Sequence, residues 1–208
     1  MKTSRLQEKL KNLDLEEIRR SVAAGEVPSE FREIAELVFN GHFLVSSATE
    51  CVKVYPTCIE MYWHEEQGEI QDNIVYHRNG RTSIDPKPAI FTQGVLHNHV
   101  SGIDLTFEQG DNPESAIRAS LLIREYKVVK NGEIISNEKR PTYLYEALYG
   151  QFSIFDGGFS VKWEEDENVG RTIACTPRHN VTLKNEQGAP VPDERPWRFT
   201  LDEHDTRR

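Results

Sequence analysis

Cysteine, methionine, long apolar runs and an excess of positive charge are what this chain of 208 residues has least of. Its three cysteines, Cys51, Cys58 and Cys175, are an odd number, and no pair has the two-residue spacing of a zinc knuckle or a redox motif. That usage predicts reduced thiols and a cytoplasmic protein. Apolar runs stop after a few residues, as in Leu121-Leu122-Ile123, where a membrane span needs roughly 18. No association with a membrane is expected. The start of the chain, Met-Lys-Thr-Ser-Arg-Leu-Gln-Glu-Lys, has no apolar stretch behind its charges and does not read as a signal peptide. Lysine and arginine number 25 against 34 acidic residues, a formal charge of −9. This argues against a protein that coats nucleic acid non-specifically, but leaves room for a local basic face.

What is present is an ordinary globular composition, 37% hydrophobic and 28% charged, in a chain long enough to bury roughly 70% of its unfolded surface. The acids are uneven: Glu164 to Glu167 form a block, and Asp202, Glu203 and Asp205 crowd the last residues. Basic residues recur between Arg78 and Arg140, among them Arg81, Lys87, Arg118, Arg124, Lys127 and Lys130.

Residues 4 to 20 read as one polar helix with a narrow stripe of Leu6, Leu10, Leu13, Leu15 and Ile18. Gly25 and Pro28 break it. A second helix is predicted from about Ser29 to Phe39, because Phe31, Ile34, Ala35 and Val38 share a face. Asn40-Gly41 should end it in a left-handed cap. The pattern then changes to short extended runs: 42–46, 58–63, 74–77, 95–100, 103–107, 119–129, 159–163, 171–175 and 197–201. A last helix fits Thr142 to Tyr149, opened by Pro141 and closed by Gly150. Asn79-Gly80 and Asn131-Gly132 are turns, and 185–195 reads as a polar surface loop. Many strands with few crossover helices predict an α+β domain with a curved, mainly antiparallel sheet. The division expected is a helical N-terminal extension over 1–27 and one α+β domain over 28–208.

Three groups of residues stand out chemically. Glu60 and Tyr62 share a strand face, a carboxylate beside a stacking ring. His97 and His99 also share a face, with Asp104 nearby; this is one route to metal ligands, but no third ligand stands at a recognisable spacing. Arg124 interrupts an apolar strand and needs an acidic or phosphate partner.

In order along the chain, these segments resemble the alkyladenine (3-methyladenine) DNA glycosylase family over about residues 34 to 201. Ile34 to Leu37 with Gly41 to Val45 looks like that family's first helix and strand. Cys58-Ile59-Glu60-Met61-Tyr62 looks like its Glu-x-Tyr strand, and His77-Arg78-Asn79-Gly80-Arg81 like the following His-x-x-Gly loop. Gly94 to Gly102 is similar to its base-clamping strand and Tyr-Gly pair, Ala119 to Glu125 to the strand bearing an active-site arginine, and Pro141 to Leu148 to a Pro-led helix. Pro196-Trp197-Arg198-Phe199 resembles the closing strand.

The resemblance implies a monofunctional N-glycosylase of base excision repair that removes alkylated purines from DNA, acting as a monomer without cofactor or metal. It makes Glu60 the base that activates water and Arg124 its partner. Tyr62, His77 and His99 would hold the base, and Arg78, Arg81, Ser101 and Gly102 would contact DNA. The chain departs from the family pattern at Ser101, where a wedging tyrosine is expected, at His99, which replaces a clamping tyrosine, and near Glu108, where an asparagine is expected. Arg140-Pro141-Thr142-Tyr143 also lacks the family's lysine. These changes weaken the expected grip on duplex DNA. Two other readings compete: a re-purposed pocket that binds a nucleobase, nucleotide or small ligand without catalysis, and a metal hydrolase built on His97, His99 and Asp104 or Glu60.

Overall fold

A computed structural model describes residues 3–75, 90–155, 157–167, 169–184 and 187–202. Three helices come first: α1 (Arg5–Lys11), α2 (Leu15–Ala23) and α3 (Ser29–Phe39). The single helix expected over 4–20 is two, because Asn12 leaves the helical region and Asp14 caps α2 by accepting from the backbone N–H of Glu17 at 3.0 Å. Leu6, Leu10 and Ile18 lie in the same apolar cluster as Phe31, Trp63 and Trp197, so the first 27 residues share the core of the rest. Phe31 sits at its centre, edge-on to Trp197 with ring centroids 5.3 Å apart.

The end of α3 differs from its expected cap. Asn40 is not left-handed; its side-chain amide donates to Glu36 O at 2.9 Å, and its Oδ1 accepts from the backbone N–H of Val169 at 3.2 Å. Gly41 is required for another reason: a Cβ there would collide with the ring of Trp163.

The strands are β1 (Gly41–Ser46), β2 (Cys51–Glu65), β3 (Leu96–His99), β4 (Gly102–Thr106), β5 (Ile117–Lys130), β6 (Glu133–Glu138), β7 (Ser160–Glu165), β8 (Ile173–Thr176), β9 (Thr182–Lys184), β10 (Pro190–Pro192) and β11 (Arg198–Leu201). Nine of them form one curled antiparallel sheet in the order β3-β4-β5-β2-β1-β7, with β6 on β5, and β11 between β2 and β8. β9 and β10 make a separate hairpin inside the segment expected to be a loop. The last helix, α4 (Leu144–Tyr149), follows a 3₁₀ turn at Pro141–Tyr143. The fold is therefore α+β, as expected. No described helix is long and apolar enough to cross a membrane. Ile74 and Val75 lie in a turn and coil rather than a strand.

β2 is the axis of the molecule, and it is twice irregular in register against β5, between Pro56 and Cys58 and between Cys58 and Ile59. Proline cannot donate to a ladder and is tolerated at such a bulge. The extra residue reverses the alternation. Before it, Val54 faces the core; after it, Ile59, Met61 and Trp63 do. The opposite face then carries Glu60 and Tyr62.

Candidate functional site

Rows of paired residues cross the sheet on the face turned away from the core. Glu60 opposes Leu122, Leu122 opposes Asp104, and Asp104 opposes His97. One step along, Tyr62 opposes Ser120, which opposes Thr106. Directly paired residues point the same way, so polar groups from four strands converge there.

Glu60 is 0% exposed. Its Oε2 accepts from the Tyr62 hydroxyl at 3.1 Å and its Oε1 from the backbone N–H of His179 at 3.0 Å. The guanidinium of Arg124 stands 3.7 Å from the same Oε1. The two residues matched on separate strands thus meet as an ion pair. Burial, and then the charge of Glu60, push the Tyr62 phenol well above its usual range, so it stays protonated and donates. A buried carboxylate demands donors of this kind.

Above Glu60 lies a cavity of ≈ 430 Å³, walled by Tyr62, His99, Ser101, Asp104, Arg124 and Asn180 among others. The volume suits a small-molecule site, for which roughly 300–1,000 Å³ is usual. Glu60 does not itself line the cavity; it lies beneath, covered by Tyr62, Arg124 and the turn at His179. The next residue, Asn180, has φ +56°, a left-handed conformation that asparagine tolerates.

His99 is held at Nδ1, which accepts from the backbone N–H of Ser101 at 3.2 Å, while Nε2 stands 3.2 Å from Asp104 Oδ1 without an aligned hydrogen bond. The Ser120 hydroxyl donates to the other oxygen of Asp104 at 3.2 Å. His97 packs edge-on to Phe91 with centroids 4.9 Å apart, and its ring lies 6.1 Å from that of His99, close to parallel. Among the described residues no group of three His, Cys, Asp or Glu side chains is placed to hold a metal ion.

The structure thus brings together Glu60, Arg124, Tyr62, His99 and Ser101. Gly102 follows Ser101 in the wall: its φ is +142°, and a Cβ would lie 3.0 Å from Leu122 and from Pro141. His77, Arg78 and Arg81 lie outside the described residues. Glu108 is not in the cavity wall; it accepts from Arg118 at 2.9 Å and from the backbone N–H of Phe91 at 2.7 Å. Cys58 is buried beside Arg198 and Thr200, and burial pushes its thiol up, which leaves it protonated and unreactive.

Sequence reasoning missed the segment Arg178-His179-Asn180. Arg178 is fully buried, its Nη1 2.6 Å from Asp72 Oδ2 and its Nε 2.7 Å from Asp193 Oδ2. It also donates to the carbonyl of Met61 at 3.1 Å and stacks over Tyr62 at 4.5 Å. The signal available was an arginine, histidine and asparagine directly after a short strand, without amphipathic period. Asp193, placed by the sequence reading in a surface loop, is 4% exposed. A scan of family models and a search of curated proteins return no match to this chain.

Proposed function

We propose that this protein is a monofunctional N-glycosylase that hydrolyses the bond between a damaged purine and its deoxyribose. The reading rests on one observation above all: a buried carboxylate, Glu60, held by Tyr62, His179 and Arg124 directly behind a ≈ 430 Å³ cavity walled by a tyrosine and a histidine. A stacked base is out of reach, so it must be turned out of the helix into the cavity. There the rings of Tyr62 and His99 wall the cavity, and the electron-rich face of Tyr62 favours a purine made cationic by alkylation. The C1′–N bond breaks with its electron pair going to the purine, which leaves neutral. Water adds its oxygen to C1′ and gives a proton to Glu60, whose charge also stabilises the oxocarbenium-like sugar. The test is incubation with DNA bearing single alkylated, deaminated or oxidised bases, scored for alkali-labile sites. Alkylated-purine excision that Glu60→Gln abolishes supports the reading.

The complete burial of Glu60 favours a second reading. Water reaches Oε1 only if the His179–Asn180 turn or Arg124 gives way. If it does not, the cavity binds a nucleobase or nucleotide without cleaving it. Binding of free base with no excision of any lesion selects this reading.

A further inference from the structure

A second cavity, ≈ 580 Å³, opens further back along β2, before the bulge. Lys53, Tyr55, Lys127 and Arg171 wall it, with the Asn131–Gly132 turn at its rim. Lys53 pairs with Val129 and Tyr55 with Lys127, while Val54 and Val128 between them face the core. The cavity therefore belongs to the same sheet face as Glu60. Lys53 lies seven residues before Glu60, ~23 Å at the ~3.3 Å rise of a strand.

Its charge is unusual for a chain of net charge −9. Three cations line it and no carboxylate does, among the described residues. Lys127 is only 8% exposed, and among the described residues its ammonium makes no hydrogen bond or ion pair. Burial, and then the nearby Arg171, pull its ammonium below the usual lysine range; no carboxylate counters them. Glu164 and Asp166, whose charges reach Tyr55, stand against His42, 3.5 and 3.3 Å away, and do not line the cavity. Arg171 is oriented by Asn40, whose Oδ1 accepts from its Nε at 3.4 Å. Most of the Lys127 side chain is buried while its ammonium reaches the cavity, and a guanidinium, two ammonium groups and a protonated phenol around one space form a donor set for a tetrahedral oxyanion.

We propose that this cavity is a phosphate-binding site, with Lys127 as its central cation and Lys53, Arg171 and Tyr55 as its other donors. Its phosphate is a backbone phosphodiester of the strand whose base enters the Glu60 cavity; in that part the proposal rests on the glycosylase reading.

The experiment is thermal unfolding of the full chain in sodium phosphate and in sodium chloride of equal ionic strength, for the unmodified protein and for Lys127→Met. Phosphate also stabilises proteins non-specifically by exclusion, so the variant is the control. The expected result is a Tm that rises with the logarithm of phosphate concentration in the unmodified protein and a clearly smaller rise in Lys127→Met. Without phosphate the variant should unfold no earlier than the unmodified protein, since the unpaired charge is gone. Lys53→Gln, at a half-exposed position, provides a second variant and should weaken phosphate binding several-fold. Equal phosphate response in both variants and the unmodified protein overturns the proposal. A short single-stranded oligonucleotide that competes with phosphate, and binds about tenfold less tightly to Lys127→Met, identifies a phosphodiester; competition by a mononucleotide alone keeps the phosphate site and overturns the strand assignment. Glu60→Gln should leave the phosphate response intact, so a failure of excision and a failure of this site are read separately.

Discussion

The Tyr62 hydroxyl donates to Glu60 Oε2 at 3.1 Å from two residues along the same strand, in a space where the carboxylate has no solvent. Phenol and carboxylate are therefore a single hydrogen-bonded unit. Removing the hydroxyl alone, in Tyr62→Phe, leaves a buried carboxylate oxygen one donor short. The expected cost is about 1–3 kcal/mol, measured as a shift of the urea midpoint with unchanged slope. A Tyr62→Phe protein as stable as the parent would show that water replaces the phenol freely.

Glu60→Gln keeps the size of the side chain and removes the proton-accepting charge. Excision should fall by roughly 10²–10⁴-fold, while binding to damaged DNA persists, since base turning and stacking do not use the carboxylate. Full excision by the variant would remove Glu60 from the mechanism.

Alkaline pH should act on stability through the tyrosines. Burial first of all pushes both Tyr62 and Tyr126 above the ordinary value of 10. Above that value the unfolded chain loses these protons and the folded chain keeps them, so the folded state binds more protons. Stability is then complete below the unfolded pKa and declines as pH rises. Unfolding temperatures measured from about pH 8 to about pH 11 should fall across the upper part of that range, and the decline should be shallower in Tyr126→Phe. A flat profile would contradict the burial of both rings.

Gly102→Ala should destabilise by about 1 kcal/mol or more, because φ is +142° and the new Cβ lies 3.0 Å from Leu122 and Pro141. Leu122 belongs to the wall of the Glu60 cavity, so ligand affinity should fall along with the unfolding temperature. A drop in stability with unaltered affinity per folded molecule would separate the turn from the site.

Some of this was legible in residue order alone. The α3 stripe, the strand alternation at Glu60 and Tyr62, and the Asn131–Gly132 turn follow from local periodicity and turn chemistry, and all three are present. The union of Glu60 with Arg124 was expected only through the resemblance, because it joins strands far apart in the chain. Two things were not legible. The strand containing Pro56 was read as starting at Cys58, since a bulge that absorbs a proline also breaks the alternation by which strands are recognised. The importance of Arg178 was hidden because its partners, Asp72 and Asp193, sit in irregular segments with no period to mark them as buried. Glu108, near the position where the family pattern expects an asparagine, lies outside the cavity wall because it pairs with Arg118.

Arg178 joins segments 106 and 15 residues away in sequence through one guanidinium. It holds the connection after β2, the connection after β8 and the approach to β11 at one point, with Met61 O as a third partner beside Asp72 and Asp193. Such a knot does not loosen one strand at a time. In hydrogen exchange, the amides of Trp63 and Arg195, bonded to Asp72 and Asp193, should open in the same event. Beyond the knot, His179 is tied to Glu60 by its own backbone N–H. Access to Glu60 is in that sense rationed by a single arginine, which anchors the turn that covers it.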